Sequence, residues 1–201
     1  LKGNKTMSVK RNIFIILFIF LITISVKAEN HIKKIFEGYV DAPIKILAFE
    51  SLTCPACANF HKNIYPELKK DFIDTGLIKI EFRNFPLDIM ALNAAKIVHC
   101  KNDGDSKIIH FLYKNQTLWA KENTVEKANS NLKKLLSNNG YSLNFDECIN
   151  NKEIENHILE DRIEGTKKYK VNATPTLIIN EKKFDKSLNY KNLKKIIEKN
   201  L

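Results

Sequence analysis

The stretch Ile44-Lys45-Ile46-Leu47-Ala48-Phe49-Glu50-Ser51-Leu52-Thr53-Cys54-Pro55-Ala56-Cys57 sets the terms on which the rest of the chain is read. Its opening, Ile44 to Phe49, is short, apolar and bounded by Pro43, as a buried strand would be. Cys54-Pro55 then opens a helix, because proline is tolerated in a first turn where the N–H it lacks would have had no partner. From Ala58 to Asp74 apolar residues recur at helical spacing, and Gly76 closes the run. Leu77 to Phe85 alternates in the manner of a second strand. The first half therefore reads strand, helix, strand, with two cysteines at the strand-to-helix turn.

Cysteines spaced as Cys54 and Cys57, in a βαβ setting, are the signature of a redox dithiol. On the first turn of a helix this spacing brings the two sulfurs within bonding reach. Cys54 stays at the helix end, where the dipole and the unpaired N–H groups stabilise a thiolate. Cys54 is thus the better nucleophile and Cys57 the resolving or buried partner. Paired cysteines also bind zinc, but a closed zinc site needs two further ligands. The chain has no second CxxC and no HxxxH motif, and His61, four residues after Cys57, could in principle be only a third ligand. We therefore expect no metal and no cofactor. His61 itself reads as a partly buried helix histidine and not a catalyst, since exchange needs no general base once the thiol is ionised.

Beyond the second strand, the stretch from Leu87 to about Lys168 is helical in pattern throughout: Met90 to Val98, Ile108 to Trp119, Val125 to Leu136 and Phe145 to Tyr169. Gly104, Gly140 and Gly165 punctuate it. Thr176 to Asn180 is a compact strand candidate, Lys182 to Asp185 a short partner, and Leu188 to Leu201 an amphipathic helix. No repeat or linker interrupts this order, and 201 residues suit a single domain. Asn172-Ala173-Thr174-Pro175-Thr176 leads directly into the late strand. Proline there removes a donor and fixes a turn. The residues alone leave the Thr174–Pro175 bond open between trans and cis; the cis form would expose the Thr174 backbone beside the cysteines to an extended client peptide.

A hydrophobic fraction of 44% and a charged fraction of 28% describe a folded globular chain and exclude a disordered or fibrous one. The net charge of +10 invites a nucleic-acid reading, but Lys2, Lys5, Lys10, Arg11 and Lys27 lie in the first 28 residues with no acid among them. Without them the charge is +5, and the remaining lysines alternate with glutamates as on a solvated face, so no nucleic-acid partner is expected. Lys10-Arg11, the apolar run Ile13 to Ile24 and Val26-Lys27-Ala28 have the form of a signal peptide over 1–28, with cleavage after Ala28. A retained anchor is the alternative, although the run is shorter than the roughly 20 residues that span a bilayer. Either way residues 29–201 are expected outside the cytoplasm, where disulfides persist. In that compartment Cys100 and Cys148, 48 positions apart, are expected to form a structural disulfide, with two free buried thiols as the alternative. Such a closure contributes about 4 kcal/mol by the chain-entropy argument. Neither cysteine has a neighbour at redox spacing.

Taken together, these residues resemble the DsbA family of periplasmic thioredoxin-fold oxidoreductases, in its bacterial branch with a DsbA-like thioredoxin domain. The resemblance is carried by Asp41-Ala42-Pro43, Ser51-Leu52-Thr53-Cys54-Pro55-Ala56-Cys57 with Phe60-His61, Phe82-Arg83-Asn84-Phe85-Pro86-Leu87-Asp88 and Asn172-Ala173-Thr174-Pro175-Thr176, in the family's order over residues 40 to 200. It implies an α/β thioredoxin fold with a helical domain inserted at about 87–168. It also implies Cys54 as attacking thiolate, Cys57 as resolving cysteine, and a cis Thr174-Pro175 loop that touches substrate. The implied activity is a protein-disulfide oxidoreductase that introduces disulfides into exported proteins in the periplasm. Its implied partners are unfolded exported substrates and a membrane reoxidase of the DsbB type, and a monomer is expected. The resemblance further favours the Cys100–Cys148 bridge.

The chain departs from the family's pattern at two places. Ala56 stands where relatives commonly place a histidine within CxxC, which removes one stabiliser of the Cys54 thiolate. Relatives often hold an acid six residues before the first cysteine, where this chain has Ala48; Glu50, two residues on, faces the same way in a regular strand. Glu50 reads as a solvated or loop glutamate, the alternative being a buried acid with a raised pKa that accepts the Cys57 proton. Pro55, Ala56, Glu50 and His61 are thus the candidates for tuning the pair. An isomerase or reductase using the same residues, and a non-catalytic chaperone-like or copper-handling binding protein, are the competing readings. Met7 and Met90 are too few for a copper-thioether site.

Overall fold

The computed structural model describes residues 31–201, and the signal peptide expected over 1–28 lies outside them. Among the described residues five strands form one sheet: β1 (Ile35–Glu37), β2 (Ile44–Glu50), β3 (Ile78–Asn84), β4 (Thr176–Ile179) and β5 (Lys182–Lys183), in the order β1-β3-β2-β4-β5. β2 and β3 run parallel, with Ile46 opposite Ile80, and the other pairings are antiparallel. A parallel pair needs a helical crossover. Here the crossover is α1 (Pro55–Asn63), α2 (Tyr65–Leu68) and a π-helical turn at Lys69–Ile73. Ile44, Ile46, Ala48, Ile78 and Ile80 are fully buried on one face of β2 and β3, and along β3 they alternate with Lys79 and Glu81.

The helical block between β3 and β4 comprises α3 (Ile89–His99), α4 (Lys107–Lys114), a 3-10 turn at Gln116–Leu118, α5 (Val125–Asn138), α6 (Phe145–Asn150) and α7 (Lys152–Tyr169). A last helix, α8 (Tyr190–Asn200), buries Leu193 and Ile197. Several boundaries differ from the periodicity reading. The helix expected over 58–74 breaks at Ile64, because Pro66 lacks the N–H that would continue the ladder. The helix expected over 145–169 divides at Asn151, whose side chain accepts from the Ile154 N–H and caps a new helix. β1 lay unseen in a short lead because three residues give no period; its pairing with β3 makes it a strand.

Gly165 does not punctuate the block. It lies inside α7, where a Cβ would come within 2.8 Å of the Phe49 ring, so the missing side chain lets the helix lie close on β2. The same contact region is pinned by charge. Arg83 of β3 pairs with Glu81, with Glu164 and, at 2.6 Å, with Asp161. The Asp161 carboxylate also accepts from the Asn84 backbone N–H at 2.9 Å and from its side-chain amide at 2.7 Å. Away from the sheet, Cys100 at the end of α3 is disulfide-bonded to Cys148 of α6, with Cα atoms 5.4 Å apart. No helix among the described residues is long and apolar enough to cross a membrane.

Replacing Gly165 with alanine is expected to destabilise the protein by about 1–3 kcal/mol, the usual cost of overpacking, as read by denaturant unfolding. An unchanged midpoint would mean that the helix can rise off Phe49 without loss.

Candidate active site

β2 delivers the chain to a tight turn at its C-terminal end. The Cys54 N–H donates to the Ser51 carbonyl at 3.0 Å, and Cys54 becomes the N-cap of α1 with an extended backbone (φ −76°, ψ 120°). Pro55 follows at the first helical position. Four hydrogen bonds to the helical block hold the turn in place. Gln116, buried, donates its amide to the carbonyls of Leu52 (2.8 Å) and Cys54 (2.9 Å). The Thr53 hydroxyl donates to the Asp88 carboxylate at 2.8 Å, and the Leu87 N–H donates to the Ser51 hydroxyl at 3.3 Å. Asp88 also caps α3 through the Ala91 N–H at 2.7 Å. Sequence reasoning missed Gln116, which lies between Asn115 and Thr117 in the 3-10 turn after α4 and is not set apart from them by any local pattern. Asp88 carried a signal, an acid just ahead of an apolar helical run.

Cys54 and Cys57 are both free thiols, and their surroundings differ sharply. The Cys54 sulfur lies 3.3 Å from the Thr174 carbonyl oxygen, which accepts from it when the thiol is protonated, and the Thr174–Pro175 bond is cis. The Cys54 pKa is pulled down to about 5. The largest cause is a hydrogen bond from the Cys57 thiol; burial opposes the shift, while the Thr174 side chain and the Cys57 and Ala56 backbone N–H groups add to it. The Thr174 hydroxyl is otherwise buried without a partner. Cys57, with no exposed surface, is pushed far up by burial, by its bond to Cys54 and by the charge of Glu50. One sulfur is therefore ionised near neutral pH and its neighbour is held protonated. Pro55 and Ala56 are exposed, so Ala56 acts here through its backbone N–H alone.

Glu50 is not a solvated glutamate. It is 7% exposed, with its carboxylate oxygens 3.1 and 2.9 Å from His61 Nε2. It ends β2 opposite Asn84 of β3, and His61 of α1 gives its carboxylate a partner. His61 is buried as well, stacked on Tyr113 with ring centroids 4.1 Å apart. Among the described residues no group of three or more His, Cys, Asp or Glu side chains could hold a metal ion. Cys100 and Cys148 lie in the helical block, bonded to each other and not to the Cys54-Cys57 pair.

An ionised sulfur at a helix start, with a protonated one a turn below, defines a thiol–disulfide exchange centre on this sheet. Comparison with known proteins agrees. The Thioredoxin family matches residues 30–199. A Rickettsia conorii protein carrying the name protein-disulfide oxidoreductase is 30% identical over 146 residues, 71% of this chain and 52% of that protein. Disulfide bond formation protein D of Bacillus subtilis is 28% identical over 173 residues, 82% of this chain and 75% of that protein. The crystal structure of Wolbachia pipientis alpha-DsbA1 matches with a TM-score of 0.74 and 28% identity, over 83% of this chain and 90% of that one. The chain thus spans about half the length of the Rickettsia relatives it matches. It belongs to the thioredoxin family.

The ionisation of Cys54 has a measurable consequence. The thiolate absorbance of the reduced protein is expected to titrate with a midpoint of about 5 and to vanish in Cys54→Ser. Between that value and the ordinary thiol value of 9.0 the reduced unfolded chain binds more protons than the folded protein, so Cys54 adds stability as pH rises across this window. Its contribution is lost as pH falls through about 5. Cys57, shifted upward, contributes in full below its unfolded value and loses that contribution above it. Denaturant unfolding of the reduced protein and of reduced Cys54→Ser should therefore diverge from pH 5 to pH 8, and parallel curves would contradict the shift.

Proposed function

We propose that this chain is a dithiol oxidase of exported proteins, with the Cys54-Cys57 disulfide as electron acceptor. The observation that carries the reading is the placement of Cys54 at the start of α1, its sulfur 3.3 Å from the Thr174 carbonyl, with Cys57 buried a turn below. In the oxidised protein a client thiolate attacks the Cys54 sulfur, the bond to Cys57 breaks, and Cys57 leaves as a thiolate that takes up a proton. A second client thiolate then attacks the client's own sulfur in the mixed disulfide. Cys54 departs with the electron pair, and the client gains a disulfide while the protein is reduced. A leaving sulfur of low pKa departs faster, so the environment that ionises Cys54 drives the step in the oxidising direction.

The client's extended backbone runs beside Thr174 and Pro175, the segment next to the Cys54 sulfur. Leu87 and Ile89, 50% and 58% exposed and joined to the cysteine turn through Ser51 and Asp88, add an apolar surface suited to unfolded chains. In this reading residues 1–28 direct export, the working compartment is the periplasm, the Cys100–Cys148 bond staples a monomer, and a membrane disulfide carrier of the DsbB type restores the Cys54–Cys57 bond.

Equilibration of the pair with glutathione tests the oxidase reading. We expect a potential well above that of a structural disulfide, and a value near the about −270 mV of thioredoxin would instead mark a reductase. Cys54→Ser is expected to abolish oxidation of an unfolded dithiol client.

A further inference from the structure

α7 covers only part of one face of the sheet. Gly165 lies on Phe49 and Asp161 pairs with Arg83, so the helix occupies the cysteine half of that face. Toward the opposite end the same face presents Lys45 and Leu47 of β2, Lys79 of β3 and Lys183 of β5, all exposed or half-buried. Lys45 and Lys79 stand directly opposite each other on neighbouring strands, and Lys183 is opposite Ile178 of β4. Beyond them the turn between β1 and β2 carries Tyr39 and Val40, 65% and 60% exposed. Gly38 ties that turn to the lysines, since a Cβ on it would lie 3.2 Å from the Lys79 Cα. The Tyr39 ring rests beside Gly76 of the loop that leads into β3.

Folding alone gives no reason for this arrangement. Like charges directly opposite on paired strands are destabilising. Among the described residues neither Lys45 nor Lys79 has a carboxylate partner, and Lys79 Nζ lies instead over the Phe36 ring, 4.1 Å from its centroid. Lys183 donates to the Lys170 carbonyl at 3.0 Å, which leaves its charge unopposed. The neighbouring acids are engaged elsewhere: Glu81 is 7% exposed and pairs with Arg83 and Lys34, and Glu181 pairs with Lys168. Asp41 is the only acid in the turn from Gly38 to Pro43. What results is an open surface of ammonium groups bordered by an exposed aromatic and an exposed aliphatic side chain. An extended peptide would need a free strand edge there, but β2 and β3 are each paired on both sides. A bilayer needs none. Its anionic headgroups attract lysines, and tyrosine, apolar in its ring and polar at its tip, settles at headgroup level.

We propose that this end of the sheet face docks on an anionic lipid bilayer, with Lys45, Lys79 and Lys183 among the headgroups and Tyr39 and Val40 entering the interface. The contact lies away from the exchange centre. Lys45 precedes Glu50 on β2 by five residues, roughly 16 Å at the usual strand rise, and the cysteine turn lies beyond Glu50. α7, packed on the cysteine half of the same face, props that half off the lipid. Cys54 and the Thr174–Pro175 bond therefore stay open to a client while the domain is docked. No helix among the described residues is long and apolar enough to cross a membrane, so this attachment is peripheral, held by charge and a shallow apolar tip, and weakened by salt. It holds for either direction of the exchange reaction.

The chain has a single tryptophan, Trp119, which is 1% exposed, so a second one introduced by Tyr39→Trp reports on the tip. The full chain carrying Tyr39→Trp is mixed with vesicles of equal parts phosphatidylglycerol and phosphatidylcholine. Its emission is expected to move to the blue and to be quenched by brominated acyl chains, and vesicles of phosphatidylcholine alone are expected to do neither. Adding Lys45→Gln and Lys79→Gln is expected to weaken binding roughly thirtyfold, from the usual contribution of two basic residues near an anionic surface. Attachment through residues 1–28 alone would give neither the shift at residue 39 nor its dependence on the two lysines. Emission unmoved by the anionic vesicles, or moved equally in the lysine variant, would overturn the proposal. If that variant fails to fold, a shift indifferent to salt or to lipid charge would do the same. A shift with polyglutamate and none with vesicles would overturn the bilayer in favour of an acidic protein partner. Oxidation of a soluble two-cysteine peptide without vesicles is expected to be equal in all these proteins, and its absence from the unaltered protein would count against the oxidase reading alone.

Discussion

Pro55 starts a helix one residue after Cys54, and that single placement puts two sulfurs of identical chemistry into opposite surroundings. Cys54 sits where helical N–H groups point at it without partners, and Cys57 sits a turn deeper with no exposed surface. On Cys54 the hydrogen bond from the Cys57 thiol does most to lower proton affinity, with the backbone N–H groups of Cys57 and Ala56 adding to it, and on Cys57 burial does most to raise it, with the bond to Cys54 next. The rest of the domain holds that asymmetry in place. The parallel pairing of β2 and β3 requires the crossover that becomes α1, and β4, antiparallel to β2, brings Thr174 to the Cys54 sulfur.

The helical block does more than cover the sheet. It supplies Gln116 and Asp88, which fasten the cysteine turn, and Tyr113 and His110, which line the region beneath it. Its attachment is correspondingly firm. Arg83 gathers three carboxylates at the junction, Gly165 lets α7 approach Phe49, and the Cys100–Cys148 bond joins two helices within the block. Buried ion pairs of this kind contribute little net stability, but losing one partner leaves a charge uncompensated, so they fix the geometry of the junction.

The elements with a strong period or a strong local signal were legible in the sequence: β2, β3, the start of α1, β4 and α8. So was the position of Cys54 and Cys57 at a strand-to-helix turn. What escaped was decided by tertiary contact. β1 exists because β3 has a free edge, Gly165 is helical because Phe49 faces it, and Glu50 is buried because His61 gives it a partner. A glutamate at the end of a strand reads as solvated until the residue opposite it is known. The links from His61 to His110 and on to Glu37 span 49 and 73 positions, distances over which a single sequence carries no pairing signal.

The account stands on one chemical assertion, that Cys54 and not Cys57 exchanges with other proteins. Replacing Cys57 with alanine removes the resolving thiol and should leave mixed disulfides unresolved. Mass spectrometry of that variant, incubated with an unfolded disulfide-containing protein and quenched in acid, is expected to find the partner's sulfur joined to Cys54. The reciprocal Cys54→Ala variant is expected to carry no adduct, because Cys57 is buried and protonated. Adducts on Cys57, or none on Cys54, would contradict the account.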